Sequence, residues 1–324
     1  MSATDLVAQR VVLLVLGPTA TGKTALAIEL ARELPVHLIS VDSAMVYRGL
    51  DIGTAKPDAQ LLAEFPHALI DVLDAAERYS AEQFREDALR EIEGAWEAHR
   101  LPVLVGGTML YFRTLLDGLS EMPAADPVVR ARLAAEAERL GSAALHARLA
   151  QVDPEAAARI HPNNPHRVQR ALEVFEVSGR TQTDWWGAGR RPGLAAALGA
   201  RPFVVALEPA QRSDLHVSIE QRLDAMLEDG FIEEVRTLRS RGDLHRDLPS
   251  MRSVGYRQIW AWLDEDGRPG PAALRESILV ATRQLARRQH TWLRRMQPDR
   301  TLRAGAGGAA ADVLHSLRRV SILK

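Results

Sequence analysis

The chain has 324 residues, 46% hydrophobic and 26% charged, with a formal net charge of −1; this is globular composition, and it excludes nucleic-acid binding through an overall basic field, so such contact has to come from local patches. Cysteine is absent, which excludes disulfides, cysteine–zinc sites and a thiol nucleophile and suits a reducing compartment. Met1 to Arg10 lacks a signal-peptide profile and no apolar run approaches the ~20 residues that span a bilayer, so the expectation is a cytoplasmic protein without a membrane segment.

The first predicted element is a strand over Val11–Leu16, continuous and rich in β-branched residues, as in a parallel sheet covered on both faces. It runs into Gly17-Pro18-Thr19-Ala20-Thr21-Gly22-Lys23-Thr24, and a helix-prone segment follows over Ala25–Leu34. Strand, glycine-bounded turn and helix in that order are the context of a phosphate-binding P-loop. Gly17 and Gly22 let backbone amides approach phosphate oxygens, and the helix N-terminus adds to the attraction. Lys23 is expected as a cation on the terminal phosphate, and the Thr24 hydroxyl as a ligand of Mg²⁺.

A second strand, Val36–Val41, ends at Asp42-Ser43-Ala44-Met45-Val46-Tyr47-Arg48. Ligands of open α/β sheets bind beyond the carboxyl ends of the strands. Asp42 therefore either faces the same crevice as Lys23 or caps the next helix, and position alone leaves both open. Asp51–Pro57 is a polar loop in which Lys56 either reaches the crevice or is solvated. Ser80-Ala81-Glu82-Gln83 is a capping box, and Phe84, Ala88, Ile92 and Trp96 follow at helical spacing with Trp96 as core. A third strand, Leu101–Val105, runs into Gly106-Gly107-Thr108-Met109-Leu110-Tyr111. A typical P-loop NTPase has an acidic residue at such a strand end for metal and water. Here two glycines permit close backbone approach and Thr108 offers a hydroxyl.

From about Leu115 to Ala200 the pattern is helical, with Asp126-Pro127 and Asp153-Pro154 reading as N-cap and first-turn Pro. Arg180–Ala200 loosens into Gly, Pro and Ala. Within this stretch His161–Arg170 sets a Pro/Asn turn before a basic helix start. Arg201–Leu207 returns to strand chemistry, and Leu215–Arg241 reads as one amphipathic helix with Ile219, Leu223, Met226 and Leu227 inward. Met251–Arg257 is a short basic stretch with one aromatic. Arg283–Arg295 holds five arginines and no acid. Because a solvated helix usually mixes signs, this face suits phosphates. Leu285, Ala286, Trp292 and Leu293 fall on the opposite, apolar side.

The expected fold is α/β: a P-loop NTPase-like core with a parallel sheet flanked by helices, plus a small helical insertion domain. The core spans 1–114 and 201–303, the insertion 115–200, and 304–324 is a flexible linker and dispensable tail. A monomer is expected. A P-loop kinase of a small metabolite or nucleotide is the competing expectation. A non-catalytic RNA-binding protein with a decayed P-loop is a third, opposed by intact Gly22, Lys23 and Thr24.

Taken as a series in this order, the P-loop, Val41–Tyr47, Asp51–Pro57, Gly106–Phe112, Ile160–Phe175, Val254–Arg257 and Arg283–Arg294 resemble the bacterial tRNA isopentenyltransferase (tRNA dimethylallyltransferase) family over nearly the whole chain. The resemblance implies Mg²⁺-dependent transfer of a dimethylallyl group from dimethylallyl diphosphate to N6 of the adenine 3′ of the anticodon, in tRNAs reading codons that begin with U. The P-loop, Gly17 to Thr24, then holds the diphosphate leaving group. Asp42 accepts the amine proton, and Lys23, Thr24 and Thr108 complete the catalytic set. The implied contacts with the tRNA anticodon stem-loop are Asp42, Ser43, Ala44, Met45, Thr108, Arg130, His166, Arg167, Val168, Gln169, Arg170, Arg252, Ser253, Val254, Gly255, Tyr256, Arg257 and the run Arg287, Arg288, Gln289, His290, Thr291, Trp292, Leu293, Arg294. One departure stands out: the family usually carries an Arg near the diphosphate where this chain has Ser218, and Arg222 or the arginine-rich helix are the candidate replacements.

Overall fold

The computed structural model describes residues 3–305 and 307–320. They form two compact units, Met1–Asp117 with Leu194–Lys324, and Gly118–Gly193. Eight strands occur among the described residues: β1 Val11–Leu16, β2 Val36–Val41, β3 His67–Ala68, β4 Leu101–Gly106, β5 Leu119–Ser120, β6 Arg190–Arg191, β7 Arg201–Glu208 and β8 Arg300–Arg303. Six of them make one sheet in the order β3-β2-β4-β1-β7-β8, every neighbouring pair parallel.

The unbroken apolar run of β1 divides between two cores by the two-residue period of a strand. Val11, Leu13 and Val15 pack with Leu26, Ala27 and Leu30 of the helix Lys23–Glu33. Val12, Leu14 and Leu16 pack with Phe84, Ala88 and Ile92 of the helix Ala81–Glu97, whose capping box at Ser80 and Gln83 forms as expected. Trp96 is partly buried against that second core.

Register sets the functional edge. Gly106 at the end of β4 is level with Leu16 of β1 and Val41 of β2. The residues just beyond, Gly17, Asp42 and Gly107, therefore leave the sheet side by side. Gly106 tolerates no side chain, since a Cβ there would lie 2.1 Å from the Val41 carbonyl oxygen.

The loop after β2 is fastened from below. Glu234 accepts hydrogen bonds from the amides of Asp51, Ile52 and Gly53 at 3.0, 2.6 and 3.2 Å, and from the Tyr256 hydroxyl. Lys56 neither reaches the crevice nor is solvated: its side chain is 3% exposed and paired with Asp51 and Asp71.

The Gly118–Gly193 unit packs four helices, Pro127–Leu140, Ser142–Val152, Pro154–Arg159 and Pro165–Ser178, around Leu133, Leu145, Leu149, Val168 and Leu172. Asp126, Asp153 and Asn164 each cap a helix that begins with Pro. Glu173 is 1% exposed and accepts from the Asp126 amide and from the Arg130 and Arg170 side chains.

Several sequence expectations need correction. The insertion changes over at Gly118 and Gly193, not Leu115 and Ala200, because Leu115, Leu194 and Ala200 are buried in the sheet's core. Arg180–Ala200 is not featureless: Thr181 caps a helix, Gln182–Gly187. Leu215–Arg241 is two helices, Arg212–Glu228 and Phe231–Ser240, parted at Gly230 with φ 98°. The region 304–324 was expected to be flexible, yet Ala309–Val320 is a helix. Its Ala310, Val313 and Leu317 are buried against the sheet and the P-loop helix; residues 306 and 321–324 lie outside the described residues. Fully buried leucines truncated to alanine cost about 2–5 kcal/mol. Leu317→Ala is therefore expected to lower stability by at least about 2 kcal/mol in urea unfolding, whereas an unchanged midpoint would mark the helix as dispensable.

Candidate active site

The P-loop is shaped by its own backbone chemistry. Gly22 is left-handed, with φ 82°, and N-caps the helix Lys23–Glu33; Ala20 also has positive φ, 62°. A Cβ on Gly17 would meet the Leu207 carbonyl oxygen at 2.6 Å, so β7 presses on the loop where only glycine fits. The Thr21 hydroxyl, buried, donates to the Pro18 carbonyl at 2.9 Å and closes the turn.

An open cavity lies at this edge. It is lined by Thr19, Lys23, Thr24, Ser40, Asp42, Met45, Gly106, Gly107, Arg222 and Gln289, with Ala55, Pro57, His67, Ile70 and Val105. Lys23 folds back so that its Nζ donates to the Pro18 carbonyl at 2.6 Å. Burial, helped by the charge of Arg222 and opposed by that of Asp42, lowers its pKa to about 7. Arg222 is anchored by a 2.9 Å bond from Nη2 to the Thr54 carbonyl, and burial lowers its pKa also. Two partly buried basic side chains, with one carboxylate near them, make a site for a polyanion.

Asp42 faces the crevice and also caps, but what it caps is a turn rather than the expected helix. Its Oδ1 accepts from the amides of Ala44 and Met45 at 2.8 and 3.3 Å, capping the turn after β2. Oδ2 takes no part in those bonds, and the residue lines the cavity. Thr108 ties the ends of β4 and β2 together: its amide donates to the Val41 carbonyl, and its Oγ1 accepts from the Ser43 amide at 3.1 Å.

Among the described residues no cluster of three His, Asp or Glu side chains could cage a metal. Mg²⁺ bound with a phosphate substrate needs no such cage, since it keeps several waters and takes one or two protein oxygens. The Thr24 and Ser40 hydroxyls and the Asp42 carboxylate on the cavity wall fit that requirement.

The other expected contacts divide. On the helix Pro271–Leu293, Arg283 is taken by Glu220 and Glu276. Arg287, Arg288 and Arg294 are exposed and make no ion pair with any described residue. Thr291 is exposed, with its hydroxyl bonded to the Arg287 carbonyl, and His290 lies 3.8 Å from Glu208. Three other residues of this run are partly or wholly buried. Leu293 is 1% exposed in the sheet's core, Trp292 is half-buried with the Arg113 guanidinium 5.5 Å above its ring, and Gln289 points inward. Its Oε1 accepts from the Thr19 amide at 2.9 Å, and its Nε2 donates to the Gly107 carbonyl at 3.0 Å.

In the basic stretch before Arg257, Arg252 and Arg257 are exposed, with Ser253 and Val254 partly so. Tyr256 is fully buried, edge-on to Phe231 and bonded to Glu234. Gly255, at φ 91°, would drive a Cβ within 2.6 Å of Phe231. These two are corrected from tRNA contacts to core. In the other unit His166 and Arg167 are exposed and Gln169 is partly so, but Val168 is 1% exposed and belongs to the core. Arg130 and Arg170 both bond Glu173; the Arg130 side chain remains 43% exposed.

Arg222 was the cavity residue hardest to weigh in the sequence. Its signal was the four-residue spacing from Ser218 on one helix face. The Ser218 hydroxyl turns back to the Asp214 carbonyl, while Arg222 enters the cavity.

A parallel α/β sheet with a P-loop, two cations and a carboxylate at one crevice defines a P-loop protein that takes a phosphate chain. The chain belongs to the IPP transferase family, whose model matches residues 45–296. It is 58% identical over 284 residues to a tRNA dimethylallyltransferase of Alkalilimnicola ehrlichii, covering 88% of this chain and 87% of that one. The full-length tRNA isopentenylpyrophosphate transferase of Bacillus halodurans is 33% identical, with a TM-score of 0.68 over 97% of this chain and 99% of that one. A eukaryotic dimethylallyltransferase acting on tRNA has a TM-score of 0.74 at 24% identity, covering 94% and 77% of the two chains, and at that identity supports the fold alone.

Lys23, its pKa lowered to about 7, has to charge when a polyanion binds. At pH 8 diphosphate binding is expected to draw up to about 0.9 proton more in the wild type than in Lys23→Arg, whose cation is permanent. The difference fades by pH 6, where Lys23 is already protonated. Calorimetry in buffers of different ionisation enthalpy measures it, and equal proton uptake by both proteins at pH 8 would contradict the lowered pKa.

Proposed function

We infer that this protein transfers the dimethylallyl group of dimethylallyl diphosphate to the exocyclic N6 amine of the adenine 3′-adjacent to the anticodon, position 37, in tRNAs reading codons that begin with U. Diphosphate is released. The observation that carries the reading is the joining of Lys23 and Arg222 with Asp42 in one cavity, at a sheet edge where β4 ends in Gly-Gly-Thr rather than in a metal-binding carboxylate. Such a site supports departure of a diphosphate and removal of a proton, and has no group at that strand end to activate water for phosphoryl transfer. A P-loop kinase leaves the exposed arginines of the helix Pro271–Leu293 without a role.

The chemistry follows from where charge develops. The C–O bond of the allylic diphosphate breaks as the N6–C bond forms, so negative charge grows on the leaving group and positive charge on the amine. Lys23, Arg222 and the P-loop amides, fixed before the substrate arrives, stabilise the first. Asp42 accepts the amine proton, and because an adenine amine is poorly basic that proton leaves late, so a carboxylate suffices. Thr108 orients the base beside Asp42. The Thr24 hydroxyl, with Ser40 and Asp42 on the same cavity wall, would hold Mg²⁺, which would supply positive charge against the diphosphate.

The adenine has to leave the anticodon-loop stack to reach Asp42, which calls for backbone contacts around it. Arg287, Arg288, Arg294, Arg252 and Arg257 supply cations on the core unit, and Arg130, His166, Arg167 and Arg170 on the Gly118–Gly193 unit. The protein acts as a monomer in the cytoplasm; among the described residues no helix is long and apolar enough to cross a membrane.

Radiolabelled dimethylallyl diphosphate with Mg²⁺ and unmodified tRNA is expected to label the tRNA, and a tRNA with the target adenine replaced by guanine is expected to stay unlabelled. Asp42→Ala abolishes labelling while tRNA binding persists; equal loss of both would remove Asp42 from the proton-accepting role. The double variant Arg287→Ala, Arg294→Ala weakens tRNA binding and makes its salt dependence shallower by about 1–2 in log–log slope. An unchanged slope would return that face to solvent.

A further inference from the structure

The Gln289 side-chain amide spans two loops that leave the sheet from different strands. Thr19 belongs to the P-loop after β1, and Gly107 to the turn after β4 that carries Thr108. One end of the amide accepts from the Thr19 N–H at 2.9 Å and the other donates to the Gly107 carbonyl at 3.0 Å. The opposite amide orientation would set donor against donor and acceptor against acceptor, so one assignment satisfies both. The fit is close: a Cβ on Gly107 would come within 2.5 Å of Gln289 Nε2. The next residue, Thr108, is held to Ser43 beside Asp42. One side chain thus sets the separation between the phosphate loop and the turn beside the base-side carboxylate.

We propose that Gln289 is a positioning residue for the transfer reaction: it fixes the distance between the diphosphate cradle and the Thr108–Asp42 side of the cavity, and makes no contact with tRNA. This rests on the transferase reading above. The partner-facing arginines of the same helix and this inward amide then have separable effects, since the arginines govern tRNA affinity and Gln289 governs the alignment of donor and acceptor. A misplacement of about 1 Å between reacting groups can cost about 100-fold in rate.

Two nearly isosteric substitutions test the proposal. Gln289→Leu removes both hydrogen bonds without adding charge, and is expected to lower kcat tenfold or more, by about 10–100-fold, at every pH, with the Kd for tRNA within about twofold of wild type. Gln289→Glu keeps the acceptor for Thr19, but as a carboxylate it faces the Gly107 carbonyl with a lone pair. Once protonated it can accept from Thr19 and donate to Gly107 together. Its kcat relative to wild type is therefore expected to be low at pH 8 and to recover as the pH falls toward 5. Recovery in Glu with wild-type rates in Leu would mean charge alone matters and would overturn the proposal, as would wild-type rates in both. A tRNA Kd weakened in step with kcat would make Gln289 a tRNA contact. If Gln289→Leu melts early, the pH profile of Gln289→Glu still decides. Wild-type protein in the same assay separates this test from the function itself: no transfer by wild type condemns the reading, and transfer by wild type with unaffected variants condemns only the positioning role.

Discussion

Two basic side chains, Lys23 and Arg222, line one cavity with the Asp42 carboxylate, and burial lowers the pKa of both. Nothing else about the site is as demanding. Left to themselves the side chains would swing apart into solvent, and the fold prevents it at each end. Lys23 starts a helix whose buried face is locked under β1, and its ammonium is taken by the Pro18 carbonyl. Arg222 is held by the Thr54 carbonyl, in a loop whose amides are gathered by Glu234. Both side chains are held at the cavity before an anion enters, and the anion's charge offsets the cost of bringing two cations together. Such preorganisation lets a site favour charge that develops on a leaving group.

The same logic explains residues with no chemistry of their own. Tyr256 and Phe231 sit beneath the Asp51–Lys56 loop, and Gly53 is glycine because a Cβ would enter the Phe231 ring at 2.0 Å. An aromatic pair with no chemistry of its own therefore helps determine where Arg222 finds its carbonyl. Lys56, buried between two aspartates, fastens the other end of that loop.

Much of this was legible in the sequence wherever a local rule acts alone. The P-loop glycines, the continuous apolar strands, the Ser80 capping box and the Asp-Pro helix starts each depend on a few neighbouring residues, and each has its counterpart in the structure. What the sequence concealed depends on partners far along the chain. Gln289 sits amid arginines and reads as surface, but its bonds reach back 270 and 182 residues. Tyr256 follows basic residues and reads as an RNA-facing aromatic, until Glu234 and Phe231 are seen around it. Ala309–Val320 follows a Gly/Ala-rich stretch and reads as a tail, because nothing local reveals the apolar patch on the sheet and the P-loop helix that it covers. Gly230 divides two helices because its left-handed backbone ends the first, where the apolar periodicity runs on.

The division of the chain also bears on the order in which it can be made. The Gly118–Gly193 unit is contiguous, with its own apolar core, so every residue it needs has been synthesised once Gly193 has emerged. The sheet is different: β1, at its centre, waits for β7 on one side, and β8 with the helix Ala309–Val320 closes the outer edge and covers one face. A nascent chain therefore carries β1, β2 and β4 with the long edge of β1 unpaired for as long as it takes to translate from Gly106 to Arg201. Edges of that kind invite pairing with other chains. The interposed unit, contiguous and with its own core, has what it needs to collapse before β7 is made, which would shorten the unstructured chain between the two parts of the sheet.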